Sequence, residues 1–272
     1  MKVIVTRQPT FYITHGGGPC FWTDLPEPLG PGAYDGLKSY FEGMLESLPE
    51  RPKAVLVVSA HWEAAKPSVT SAERPGMLYD YYGFPPHTYE LKYPAPGSPK
   101  LARDIVDRLE AAGIAAGQDA SRGFDHAVFV PMLIIDPEAS LPVVTLSLQK
   151  DLDPAHHLAI GRALEALRDR GVLILGSGSS FHDLRAIFRP GAGASVDFDD
   201  WLQAALVDAG PQSREQALLE WEQAPGATES HPREEHLLPL MVAVGAAHDE
   251  PGKLDFHGMI GGKAYSCFRF GA

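Results

Sequence analysis

The sequence predicts an α/β protein: a single globular domain with a central, mostly parallel or mixed sheet flanked by helices. The site is expected at the C-terminal ends of the strands. Three observations carry this. Short apolar runs recur, TFYIT at 10–14, AVLVVSA at 54–60, LPVVTLSL at 141–148 and GVLILGS at 171–177. They are largely continuous rather than alternating, as in strands covered on both faces. Helical segments lie between them, and such alternation of strand and helix builds parallel sheets.

The elements follow in chain order. The run at 10–14 stops at His15, and three glycines follow in THGGGPCF. Those glycines suit a tight turn and leave room beside a ligand. Residues 32–48, GAYDGLKSYFEGMLESL, read as a helix before the strand at 54–60. Residues 74–99 are rich in Tyr, Pro and Gly and read as a long ordered loop with a short strand. Loops of that length in compact domains are often functional. The helix at 98–113 has Ser98 as cap, Pro99 at its first position and Gly113 at its end. His126 opens a helix-like apolar stretch, HAVFVPML. Residues 153–171 repeat the helix grammar with Asp153, Pro154 and Gly171. A Gly/Ala loop at 189–198 precedes two helices, 198–209 and 213–223.

In HPREEHLLPLMVAVG, Pro232 fits the first helical position and His231 the cap. Glu234 and Glu235 suit the positive end of that helix. His236 then shares a face with Leu240, Ala243 and Ala247 and points inward. Pro239 inside the helix should kink it, since it gives no hydrogen bond to the carbonyl of Glu235. Residues 253–270 read as a hairpin turning at Gly261–Gly262. Without repeats or a boundary, residues 1–272 read as one catalytic domain.

Composition narrows the partners. Net charge is −12 with no Lys/Arg run. That disfavours nucleic acid and anionic membranes. The apolar run VFVPMLII is too short to cross a bilayer. The N-terminal MKVIVTRQPT lacks the apolar stretch of a signal peptide. Two cysteines, Cys20 and Cys267, do not make a disulfide framework. A cytoplasmic protein acting on small molecules is expected.

The histidines matter most. His15 and His61 end the first two apolar runs, and His182 lies just past GVLILGSGSS. In open α/β sheets, sites form beyond the carboxyl ends of strands, so the three are placed to converge with the inward His236. Each alone also reads as a satisfied structural histidine. His126 reads either as a cap neighbour or as a substrate-facing imidazole. Neutral imidazoles suit Fe(II), Zn and Cu, and a facial set leaves positions for substrate and O2. Rival motifs fail. There is no Gly-x-Ser-x-Gly to complete an esterase. GSGSS lacks both the third glycine of a dinucleotide loop and the lysine of a phosphate loop.

THGGGPCF, VVSAHWE, LYDYYGFPPHTYELKYPAPGSP, FDHAVFVPM, GVLILGSGSSFHDLR and HPREEHLLPLMVAVGAA together resemble the class III extradiol ring-opening dioxygenases. The branch most nearly matched is the DOPA 4,5-dioxygenase type, related to the protocatechuate 4,5-dioxygenase beta subunit. The likeness runs from about residue 10 to the C-terminal YSCFRFG. It implies metal ligands at His15, His61 and His236, an acid/base at His182 and a substrate contact at His126. It implies Fe(II) for activity, with Zn(II) able to occupy the same site. The implied substrates are O2 and a catechol of the DOPA kind, whose ring opens beside its two hydroxyls.

Departures from the family pattern touch the surroundings. Asp183 stands where Asn is frequent, HAVFVP replaces HGTWVP, and HGGGPCF replaces HGSP. The beta subunits use a carboxylate as third ligand, which makes Glu235 the neighbouring alternative to His236. Whether Glu235 or His231 joins the site stays open at this stage. Cys20 reads as a small buried residue. A homodimer is in keeping with the resemblance. The alternatives are a metal-binding interaction protein on this fold, or a zinc hydrolase with the same ligands.

Overall fold

The computed structural model describes residues 6–271; residues 1–5, on which the reading of the N-terminus partly rests, lie outside the described residues, as does Ala272. The strands are β1 (Thr10–Thr14), β2 (Ala54–Ala64), β3 (Ser68–Thr70), β4 (Gly117–Asp119), β5 (Val143–Gln149), β6 (Val172–Gly178), β7 (Gly252–Ile260) and β8 (Lys263–Phe270). They form one sheet in the order β4-β3-β5-β2-β6-β1-β8-β7. The inner four, β5, β2, β6 and β1, run parallel. The edges are antiparallel, β8 on β1, β7 on β8 and β3 on β5. The sheet is therefore mixed, as the sequence predicts. β3 and β4 are additions, each three residues long. So short a strand carries too few residues for a readable period.

The helices are α1 (Asp35–Glu42), α2 (Pro99–Ala111), α3 (His126–Ile135), α4 (Pro154–Leu164), α5 (Ser195–Gln203), α6 (Pro211–Leu219), α7 (Ala227–Ser230) and α8 (Leu238–Ala247). Alternate residues of the inner strands feed two cores, one on each face of the sheet. Phe11, Ile13, Val55, Val57 and Leu175 pack with α1, α3 and the aromatic loop at 74–99. Tyr12, Leu56, Val58 and Ile174 pack with α2, α4 and α8. This explains the continuous apolar runs: neither face meets water.

Local signals work as read at several ends. Ser98 accepts from the Leu101 amide at 3.3 Å, and Asp153 from the Ala155 amide at 2.8 Å. Gly261 and Gly262 take φ of 58° and 79°, the paired positive values of a tight hairpin turn. The 74–99 loop contributes a lone bridge, Met77 to Phe124, and a short turn at Pro86–Glu90.

One helix expectation is corrected. The chain does not run helically from Pro232. His231 follows α7 in a non-helical conformation, a 3-10 turn spans Glu234–His236, and α8 begins at Leu238. Pro239 therefore stands in the first turn of α8, where its missing N–H costs nothing, rather than kinking a longer helix. His236 is buried all the same, because its turn is pressed against the sheet. Among the described residues no helix is long and apolar enough to cross a membrane.

Candidate metal centre

β2, β6 and β1 are neighbours, and their C-terminal ends deliver histidines to one edge. His15 directly follows β1, its amide bonded to Gly178 O at 3.0 Å. His61 lies where the pairing of β2 with β5 slips between Ser59 and Glu63. Ser59 Oγ accepts from the His61 amide at 3.1 Å and donates to buried Asp125 at 2.9 Å. His236 arrives on its turn over β6. A Cβ on Gly178 would lie 2.0 Å from His236 O, and one on Gly176 2.4 Å from Pro239 O. Side-chain-free positions in β6 thus let the 236–239 backbone seat directly on the sheet. There His236 O accepts from Tyr12 Oη at 2.8 Å and the Ser179 amide at 3.0 Å. His182 follows β6, its amide bonded to Ser230 O at 2.8 Å. His126 opens α3.

The five side chains meet. His61 Nε2 lies 3.3 Å from His15 Nε2 and 3.1 Å from His236 Nε2. The His126 ring sits 3.9 Å from that of His61, and the His182 ring stacks on His236 at 3.3 Å. Donor atoms of His15, His61 and His126 all fall within 4.8 Å of one another, as do those of His182, Glu235 and His236. The His61–His236 contact joins the two groups into one cluster.

The outward nitrogens decide the proton positions. His126 Nδ1 donates to Asp80 Oδ1 at 2.7 Å, and His61 Nδ1 lies 3.4 Å from Asp80 Oδ2. Glu235 Oε1 lies 3.0 Å from His236 Nδ1 and 3.3 Å from His182 Nδ1. Ser177 Oγ donates to Ala127 O at 2.5 Å, so it can only accept from His15 Nδ1 at 3.2 Å. The acceptors at Nδ1 of His15, His126 and His236 favour the proton there and a bare Nε2 turned inward, and the Asp80 and Glu235 carboxylates beside Nδ1 of His61 and His182 favour the same arrangement. Lone pairs opposed at 3.1 and 3.3 Å repel unless a cation lies among them. Metal–nitrogen bonds of about 2.0–2.1 Å at octahedral to tetrahedral angles put ligand nitrogens about 2.8–3.4 Å apart. The donor set fits a metal ion.

Charge agrees with that. Burial, and then the neighbouring histidines, push His15, His61 and His236 well below the usual histidine range, so they are neutral near pH 7. Burial alone would raise Asp80, but hydrogen bonds from the Nδ1 and the backbone amide of His126 help bring it down to about 2. The carboxylate is ionised and ready to accept.

Other sequence candidates fall elsewhere. His231 is buried between Phe198 and Trp221, and its Nε2 donates to Ser180 O at 3.1 Å. It supports the chain entering His182 and does not join the cluster. Cys20 is buried and packs beneath Gly16. Gly16 and Gly18 do make a tight turn, with φ of 88° and 55°. The space their side chains would need is filled by Cys20, Tyr34 and Phe84, so they open no room at the cluster. His87, His157 and His257 bond to Trp22 O, Asp153 O and Asp199. Sequence reasoning missed Asp80, Ser177 and Asp125. Asp80 lies inside the quoted LYDYYGFP motif, but it stands 46 residues from His126, and no spacing rule links them.

The family model described as the catalytic LigB subunit of aromatic ring-opening dioxygenase matches residues 9–261. The chain belongs to this family. Relatives agree over nearly the whole length. The 4,5-DOPA dioxygenase extradiol of Beta vulgaris is 39% identical over 270 residues, covering 97% of this chain and 96% of the relative. That of Escherichia coli K12 is 35% identical over 245 residues, covering 89% and 86%. Dioxygenase tasH of Hapsidospora irregularis is 40% identical over 264 residues, covering 89% and 79%. The crystal structure of uncharacterized protein JW3007 from E. coli K12 superposes with a TM-score of 0.76 at 31% identity, covering 97% of this chain and 100% of that one. This LigB-family chain is thus a metal-dependent, extradiol ring-opening dioxygenase acting on an aromatic substrate with O2.

Proposed function

We propose that this dioxygenase opens the ring of a small catechol, of the DOPA kind, with Fe(II) held by Nε2 of His15, His61 and His236. The observation that carries the ligand set is the pair of Nε2 contacts made by His61, 3.3 Å to His15 and 3.1 Å to His236. The names of the relatives support the DOPA-like substrate. Bound iron would supply the redox chemistry, letting catechol electrons reach O2 so that the ring opens beside its hydroxyls. Zn(II) suits the same nitrogens but has no redox step to offer.

The remaining residues bind the substrate and move protons. His182 Nε2 takes a catechol proton and returns it to the product, while Glu235 at its Nδ1 steadies the imidazolium between. His126 Nε2 accepts from the substrate, and Asp80 holds that ring in place. Tyr81, 5.9 Å from His126, packs with Phe84 and Tyr89 into an aromatic wall suited to a flat ring. The reading takes residues 1–272 as one catalytic domain with small-molecule partners.

The test is anaerobic loading with Fe(II), followed by O2 uptake with a panel of catechols. Uptake with a yellow ring-opened product is expected. Absence of turnover across a broad panel, with iron shown to be bound, overturns the reading.

A further inference from the structure

We propose that Asp80 and Glu235 are paired positioning residues, each carboxylate holding one metal-facing and one substrate-facing imidazole by its Nδ1 edge so that all four Nε2 atoms stay bare. The inference rests on the ligand reading above. Asp80 reaches His126 at 2.7 Å and His61 at 3.4 Å, and Glu235 reaches His236 at 3.0 Å and His182 at 3.3 Å. In both cases the two rings lie close, with centroids 3.9 Å apart for His61–His126 and 3.3 Å for His182–His236. The same device is thus built twice, from a loop carboxylate on one side and a 3-10 turn on the other.

The chemistry follows from the donor inventory. A neutral imidazole has one N–H, and an ionised carboxylate only accepts. The nitrogen beside the carboxylate therefore keeps the proton. A ring with its proton on Nε2 instead is neither a ligand nor a base at that atom. The two clamps are unequal. Asp80 has its short arm on His126, which faces the substrate, and Glu235 has its short arm on His236, which faces the metal. Asp80 chiefly serves substrate binding and Glu235 chiefly serves the metal.

The experiment compares the full chain with Asp80→Asn and Glu235→Gln. Long-range proton–nitrogen NMR without metal reads the tautomers. Competition with a chelating dye reads Zn(II) affinity, and the Zn(II)-loaded protein is titrated with a nitrocatechol. The parent should show Nδ1–H tautomers for all five clustered histidines. Glu235→Gln should return Nε2–H signal from His236 and His182 and weaken Zn(II) about 10–100-fold. Asp80→Asn should do so for His126 and His61, leave Zn(II) less affected, and weaken the nitrocatechol about tenfold, the worth of one oriented hydrogen bond. Unchanged tautomers in both variants overturn the proposal. So does an equal loss of Zn(II) and nitrocatechol in both, which is the mark of general damage.

Should an amide variant fail to fold, Asp80→Glu and Glu235→Asp keep a group that only accepts, with no amide N–H to offer Nδ1, and must keep the Nδ1–H tautomers; losing them overturns the proposal equally. None of these readouts needs turnover. A chain that shows the clamp but opens no catechol removes the functional reading alone. A chain that turns over with tautomers indifferent to Asp80 and Glu235 removes the clamp alone.

Discussion

Removing single imidazoles should separate ligands from neighbours. His236→Ala takes away a nitrogen 3.1 Å from His61 Nε2, and the protein is expected to lose metal on gel filtration. His126→Ala takes away a ring whose nearest polar partner is Asp80, so metal content should hold while KM for a catechol rises about tenfold. Metal analysis beside steady-state kinetics checks both, and metal loss from the His126 variant would reassign the ligands. A different histidine sets an acid limit. Burial lowers His231 from 6.5 to about 4, so the unfolded chain binds its proton first. Stability owed to neutral His231 is whole above pH 6.5 and is lost as pH falls towards about 4, by at most roughly 3 kcal/mol. Urea unfolding at neutral pH and at mildly acid pH should show a smaller drop for His231→Gln than for the parent; equal drops would refute this. At this scale the sequence was partly legible. Strand ends announce His15, His61 and His182, because the apolar run stops at or just before them. Asp80 and Ser177 announce nothing, since their meaning lies in contacts 46 and 162 residues away.

Elements place these residues through close backbone approach. A Cβ at Gly178 would stand 2.0 Å from His236 O, an atom that also accepts two hydrogen bonds. Gly178→Ala must push the 236–239 segment off the sheet. The expected cost is on the order of 2–4 kcal/mol in urea unfolding, as for overpacking and lost buried bonds. Metal affinity should fall with it. Tyr12→Phe removes one of the two bonds and leaves the seat intact, so it should cost only about 1 kcal/mol and keep the metal. A Gly178→Ala protein with parental stability and metal content would show that the turn is positioned by something else. The helix caps at Ser98 and Asp153 were readable because they are local. The start of α8 was not. A pattern of His, Pro and two Glu fits a helix N-terminus, yet tertiary seating on β6 drew residues 231–237 into turns and left Pro239 to open the helix.

The whole fold brings five imidazoles to one point, and the cost of that falls on the metal-free protein. The Nδ1 atoms of His15, His126 and His236 bond to acceptors and Asp80 stands beside that of His61, which leaves the opposed Nε2 lone pairs without a proton to share. A bound cation turns that repulsion into ligation, and it binds the folded chain only, because the unfolded chain scatters His15, His61 and His236 over more than two hundred residues of sequence. Folding and metal binding are therefore linked. At a free metal concentration about 100 times Kd, the linkage adds about 2.7 kcal/mol. For a chain of this size, a Tm rise of roughly 5–10 °C follows. Differential scanning with and without Zn(II) measures it in the absence of O2 chemistry, and a chelator should reverse it. His15→Ala should abolish most of the rise while leaving the metal-free Tm close to that of the parent, or above it, since one of the opposed lone pairs is gone. A metal-free parent that is as stable as its fully loaded form would mean that the cluster is held by protons after all, with the tautomers shared along an imidazole chain.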